Sequence, residues 1–117
     1  MGVLTTVIAG LEKQVSIAGA FLVAPVDLSL PSTPIELSNF APVPLSPLPF
    51  PAIVVGSEND PYCSFEKAKW FADGWSAKFY NAGRVGHINC AAGFGDWPLG
   101  EKLFRDFCKS VLTGDFP

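Results

Sequence analysis

Apolar positions along the chain fall into blocks that predict alternating helices and strands. Over residues 3–15, apolar side chains recur at helical spacing and predict an α-helix. The positions are Leu4, Val7, Ile8, Leu11 and Val15. Residues 18–24 and 52–56 are short, uninterrupted apolar runs, which are typical of strands buried on both faces of a parallel sheet. A third, shorter strand is predicted from residue 75 to residue 80.

Capping residues predict two further helices. Ser64 is placed to cap a helix over residues 65–73, where Glu66 in the first turn is favoured by the helix dipole. Pro98 suits the first turn of a last helix, and Gly114 suits the position after its end. The apolar stripe of that helix is Leu99, Leu103, Phe107 and Val111. The aromatic side chains assigned to the core are Trp70, Phe71, Trp75, Trp97, Phe104 and Phe107.

The order of elements predicts an α/β fold with a mostly parallel sheet and flanking helices. Strands separated by helices pair in parallel, and the ligands of such sheets bind beyond the carboxyl ends of the strands. The 117 residues suffice for one domain with one core. Eight of the eleven prolines lie at about 25–51, which marks a long proline-rich loop between the first two strands.

Charge and cysteine content limit the partners and the compartment. The net charge is −3, from 8 basic and 11 acidic residues, and no basic stretch exists. We therefore expect neither nucleic acid nor a membrane as a partner. No apolar run is long enough to span a membrane, and the first residues lack the basic start of a signal peptide. Three cysteines, an odd number without dense spacing, favour a reducing compartment, so a cytoplasmic location is predicted.

Two loops that follow predicted strands contain the residues suited to chemistry. Asp60 lies in the loop 57–63, and His87, the single histidine, lies in the loop 83–90. If both strands are parallel, these side chains project from the same edge of the sheet, where a carboxylate can fix the tautomer of an imidazole. Taken alone, Asp60 also fits an Asn-Asp-Pro turn, and His87 also fits an ordinary loop histidine.

Four motifs resemble a known family. They are SENDPYCSFE at 57–66, GHIN at 86–89, LPFP at 48–51 and GFGDWP at 93–98. These segments look like bacterial members of the small serine-hydrolase family that includes retinoblastoma-binding protein 9. The resemblance implies an α/β-hydrolase fold and a Ser-Asp-His triad acting on a small ester or amide substrate without a cofactor. It also implies that Asp60 is the triad acid and His87 the triad base.

The chain departs from this family at its start. Members carry a nucleophile elbow of the form G-H-S-x-G, and no G-x-S-x-G occurs in the 117 residues. Met1 and Gly2 look like the two residues after such a serine, so the resemblance implies a backbone N–H at Met1 in the oxyanion hole. We therefore expect residues 1–117 to be the C-terminal portion of a hydrolase domain, without its first strands and inactive as given. An exposed sheet edge would then permit self-association.

Three other interpretations compete with this one. Cys63, His87 and Cys90 could suggest zinc, but a structural site usually has four ligands in paired spacing and no C-x-x-C exists, so no metal is expected. Cys63 could itself be a nucleophile near His87, although a small residue packed within the loop is the simpler interpretation. The stretches PSTP at 31–34 and PLSP at 44–47 fit P-x-x-P, which suggests a non-catalytic interaction module that uses the proline-rich segment.

Overall fold

Three helices and three strands alternate along the part of the chain that the structure describes. The structure is a computed structural model. It describes residues 2–11, 17–29, 44–88 and 97–116. The elements are α1 (Gly2–Leu11), β1 (Ala20–Val23), β2 (Ala52–Gly56), α2 (Phe65–Gly74), β3 (Lys78–Asn81) and α3 (Pro98–Thr113).

The strands form one parallel sheet in the order β1-β2-β3. Ala20 lies opposite Ala52 at one end of the first pair, and Gly56 lies opposite Asn81 at the far end of the second. The three carboxyl ends therefore meet at one edge of the sheet. The predicted α/β class with a parallel sheet and flanking helices is confirmed.

One face of the sheet packs against α1 and α2. Side chains alternate between the faces of a strand, so Ala20 and Leu22 share this face, as do Ala52 and Val54. Val7 and Val54 are fully buried in this layer. The cluster comprises Val3, Val7, Ala20, Leu22, Leu48, Ala52, Val54, Cys63, Ala68, Phe71, Ala72 and Trp75.

The opposite face packs against α3. The Phe21 ring lies 5.5 Å from that of Phe104 and 6.0 Å from that of Phe107, measured between centroids. Phe107 is buried, and Gly114 ends the helix with a φ of 77°, as predicted for the residue after its last turn. The sheet therefore lies between two helical layers, as in a three-layer α/β fold.

The described ends of the proline-rich segment pack against the core. The Trp75 indole N–H donates to the carbonyl of Pro44 at 2.8 Å, and the Leu48 N–H donates to the carbonyl of Trp75 at 2.9 Å. Leu48 is itself buried. The PSTP motif at 31–34 lies outside the described residues, so the prediction of an interaction module stays a prediction.

The predicted boundaries need one correction. The first helix is described over Gly2–Leu11, and residues 12–15 of the predicted 3–15 helix lie outside the described residues. The third strand begins at Lys78 and not at Trp75. Trp75 instead ends α2, where its N–H bonds to the carbonyl of Phe71, and its ring stacks on that of Phe71 at 4.9 Å. A buried aromatic side chain is equally compatible with either element, which is why the sequence pattern misplaced it.

Three apolar side chains assigned to buried positions are about half exposed. Trp70 lies on the outer side of α2, where the Lys67 ammonium sits 4.0 Å from its ring centroid. Phe104 and Leu99 are the exposed members on α3. An i, i+4 stripe drifts by about 40° per step around a helix, so Leu99, two steps before buried Phe107, has rotated away from the sheet. None of the helices within the described residues is both long and apolar enough to cross a membrane.

Candidate active site

The loops that follow the three strands meet at the carboxyl edge of the sheet. The Asp27 N–H in the loop after β1 donates to the carbonyl of Tyr62 in the loop after β2, at 2.8 Å. The Glu58 N–H in the loop after β2 donates to the carbonyl of Gly83 in the loop after β3, also at 2.8 Å. These backbone contacts fix the middle loop to both of its neighbours. Polar side chains from separate parts of the chain are thereby brought together.

Asp60 is a buried carboxylate with both oxygens engaged. Its Oδ1 accepts the N–H of Tyr62 at 2.8 Å, which is the local contact expected of an aspartate in a turn. Its Oδ2 lies 2.9 Å from Nδ1 of His87, and the side chain is only 3% exposed. The turn interpretation and the pairing interpretation of Asp60 therefore both apply, each through a different oxygen.

His87 is held with one ring nitrogen against Asp60. An ionised carboxylate can only accept hydrogen bonds, so the Nδ1 that faces it carries the hydrogen and Nε2 has a free lone pair. The side chain is 20% exposed, and the Tyr62 ring packs edge-on against the imidazole with centroids 4.9 Å apart. The arrangement leaves Nε2 as the ring nitrogen that can accept a proton.

Glycines shape the loop that carries His87. Gly83 has a φ of 86° and Gly86 a φ of 69°, conformations that side-chain-bearing residues rarely adopt. A Cβ at either position would meet no atom within 4 Å, so the conformation and not the available space favours glycine there. The loop with these two glycines carries His87, whose Nδ1 lies 2.9 Å from Oδ2 of Asp60.

The environment of Cys63 does not suit a nucleophile. The side chain is 2% exposed. Burial, followed by the negative charges of Asp27 and Asp60, raises the pKa of the Cys63 thiol from 9.0 to about 12. At that pKa about one thiol in 10⁵ is ionised at pH 7, whereas catalytic thiols have lowered pKa values. Cys63 is therefore a small buried residue behind the Asp60 turn.

The remaining predicted participants lie partly within and partly outside the described residues. No cluster of three His, Cys, Asp or Glu side chains suitable for a metal ion occurs within the described ranges. Cys90, which the zinc interpretation requires, lies outside them, as does Met1, whose backbone N–H was assigned to the oxyanion hole. Those two predictions stay predictions.

Sequence reasoning missed several polar residues at this edge. Asp27 is buried after β1, and Asn59 and Ser57 make contacts across to the loop of His87. The position of Asp27 after a strand was a usable signal, since Asp60 stands in the same relation to β2. For Asn59 and Ser57 no signal existed, because polar residues in a turn normally bond to their own loop.

An acid–histidine pair at the carboxyl edge of a parallel sheet with helices on both faces is the arrangement of α/β hydrolases. Residues 1–106 match the family model described as "Serine hydrolase", and the chain belongs to this family. It is also similar to the crystal structure of a YdeN-like hydrolase from Pectobacterium atrosepticum, with 33% sequence identity and a TM-score of 0.78. That alignment covers 94% of this chain and 56% of the other, so the chain spans little more than half the length of that relative. No significant match exists among curated proteins.

Proposed function

We propose that this chain provides the acid and the base of a Ser-Asp-His hydrolase that acts on small ester or amide substrates. The observation that carries the proposal is the 2.9 Å contact between His87 Nδ1 and the buried Asp60 carboxylate at the ends of two neighbouring parallel strands. Membership of the serine hydrolase family and the similarity to a YdeN-like hydrolase support it.

In the proposed reaction His87 transfers one proton in each of two half-reactions. Nε2 takes the proton of a serine hydroxyl as its oxygen attacks the substrate carbonyl, and the tetrahedral intermediate forms with a negative oxygen. The imidazolium then gives that proton to the departing alcohol or amine as the carbonyl–heteroatom bond breaks. Water repeats the sequence on the acyl-serine and releases the acid. Asp60 remains ionised throughout and stabilises the imidazolium.

The serine of this reaction is proposed to stand immediately before Met1 in the intact hydrolase. The 117 residues contain no G-x-S-x-G, and Met1-Gly2 fits the last two positions of that motif. Ser57, the serine closest in sequence to Asp60 on the strand side, is 2% exposed and its hydroxyl bonds to Asn59. We therefore expect negligible esterase activity from the 117-residue chain alone.

Two measurements test the proposal together. The intact mass of the native protein shows whether it exceeds the 12.5 kDa of these 117 residues. Hydrolysis of p-nitrophenyl acetate is then measured for the 117-residue chain and for the native length. We expect the short chain to match the uncatalysed background. We expect Asp60→Asn or His87→Ala to lower turnover by a longer, serine-containing form by about 10³–10⁴-fold.

A matched control comes from the same loop. Glu58 is an exposed acid two residues before Asp60, and its carboxylate bonds to Asn81 and not to His87. Glu58→Gln should leave hydrolysis unchanged. Turnover by the 117-residue chain that requires both Asp60 and His87 would contradict the missing nucleophile. Turnover by a longer form that survives both substitutions would contradict the assigned roles.

A further inference from the structure

Two side chains just before Asp60 hold the backbone just before His87. The Oδ1 of Asn59 accepts the N–H of Gly86 at 2.8 Å. The Oγ of Ser57 accepts the N–H of Val85 at 3.1 Å and donates its own hydrogen to the Oδ1 of Asn59, also at 3.1 Å. Two consecutive amides of the histidine-bearing loop are therefore bound by one small side-chain network of the aspartate-bearing loop.

We propose that Asn59, supported by Ser57, is a positioning residue that keeps His87 in register with Asp60. By register we mean the alignment in which Nδ1 of the imidazole faces Oδ2 of the carboxylate. The proposal deepens the proposed function and rests on it, since register matters for catalysis only if His87 is the base. It assigns to Asn59 no contact with the substrate. Its effect is transmitted through the peptide that precedes His87.

The need for such a device follows from the loop itself. Gly83 and Gly86 both adopt positive φ, and glycines leave the chain many alternative conformations. A working acid–base pair has to be held to within about 0.5 Å of its productive geometry. The amide of Gly86 lies one residue before His87, so a hydrogen bond to it restrains the backbone from which the imidazole projects.

A second link between the same loops lies farther from His87. The Asn81 side-chain amide donates to the Glu58 carboxylate at 3.1 Å, and its Oδ1 accepts the N–H of Gly83 at 2.8 Å. Asn59 and Asn81 are thus two exposed asparagines that join one pair of loops. They differ in the amide that they bind, which makes Asn81→Ala a matched control for Asn59→Ala.

Because His87 is the single histidine, nitrogen NMR reports its ring without ambiguity. With the ring neutral, the wild-type chain should show the Nδ1–H tautomer and slow exchange of the Val85 and Gly86 amides. Asn59→Ala should shift the ring toward the Nε2–H tautomer and speed exchange of these amides about five- to tenfold, as the loss of one hydrogen bond implies. Asn59→Asp, which keeps the acceptor oxygen, should restore both signals, and Asn81→Ala should leave the tautomer unchanged.

Several outcomes would overturn the assignment. The tautomer could remain Nδ1–H in Asn59→Ala, or Asn81→Ala could disturb it equally, which would make Asn59 an ordinary loop contact. If Asn59→Ala does not fold, the proposal is tested by the His87 tautomer and the Gly86 amide exchange of the wild type and of Asn59→Asp. A Gly86 amide that exchanges in the wild type as fast as an unprotected amide refutes the contact. None of these signals depends on hydrolysis, so a longer, serine-containing form that is inactive although Asn59 controls the register would refute the proposed function and not this one.

Discussion

Raising the pH above 9 should lower the free energy of unfolding through ionisation of Cys63. Replacing Cys63 by alanine should remove this contribution to the pH dependence. The thiol is 2% exposed and lies near two carboxylates, Asp27 and Asp60, so its ionised form is strongly disfavoured in the folded state. In the unfolded chain the same thiol is solvated and releases its proton near pH 9. Between the two pKa values the folded state keeps a proton that the unfolded state has lost.

The size of the effect follows from the pKa values. The stabilisation is complete below pH 9 and falls as the pH rises toward about 12, the pKa of the folded form. Within this window the free energy of unfolding should decrease by about 1.4 kcal/mol per pH unit from this group alone. The loss between pH 7.5 and pH 10.5 is therefore about 2 kcal/mol, and local opening of the loop sets an upper limit to it.

Urea denaturation of wild type and Cys63→Ala between pH 7.5 and 10.5 measures this difference. Tyrosine and lysine side chains also titrate in this range, but they are common to both proteins, so the comparison of slopes isolates Cys63. The variant is less stable at pH 7.5 because a buried sulfur is removed. Its free energy of unfolding should then decrease less than that of the wild type as the pH rises. Parallel curves would show that the folded thiol ionises as freely as the unfolded one, which would refute its burial behind Asp60.

Two further predictions concern the helices. Phe107→Ala should lower the free energy of unfolding by about 3–5 kcal/mol, because the ring is buried between α3 and the sheet. Phe104→Ala, at a half-exposed position on the same helix, should cost clearly less, and equal losses in urea melts would contradict the placement of α3. Ser64→Ala should cost about 1 kcal/mol, because the hydroxyl accepts the N–H of Lys67 at the start of α2. The exposed Ser46→Ala is its control, and indistinguishable thermal midpoints would argue against the cap.

The first two strands of the sheet could be predicted because they are apolar on both faces. Runs such as 52–56 leave few structures in which they can be buried other than a parallel sheet between helices. The start of α2 and the end of α3 were similarly predictable from local chemistry. Ser64 accepts a backbone N–H at the first turn of α2, and Gly114 adopts the positive φ that ends α3. Helix termini could be predicted where the contact that fixes them lies within a few residues in the sequence.

Prediction failed where distant packing decides. Trp75 looks like a strand residue by composition, yet it follows the last residue of α2, and its indole bonds to Pro44, 31 residues earlier in the chain. Trp70 and Phe104 look like core residues because they are large and apolar. Both are nevertheless about half exposed, Phe104 even though its ring contacts Phe21, whereas Phe71 and Phe107 on the same helices are buried. Size and hydropathy do not specify which side of a helix meets a neighbour.

At the candidate site, too, some features could be predicted from the sequence and others could not. The meeting of Asp60 and His87 was predictable from topology, because parallel neighbouring strands must end at one edge. The contacts of Asn59 and Ser57 with the amides of Gly86 and Val85 were not predictable. They depend on the positive φ values of the glycines in the second loop, which no pattern in the first loop encodes.

The side-chain contacts described for the pair come from two neighbouring loops, after β2 and after β3, and both strands belong to the same sheet. The Asp60–His87 pair is therefore assembled by residues that the structure describes. An intact Asp60–His87 contact and a hydrolytic activity are consequently separate properties of this fold. The tautomer of the single histidine reports the first, and ester turnover reports the second. A chain with the first and without the second would locate the missing chemistry at the nucleophile and not at the pair.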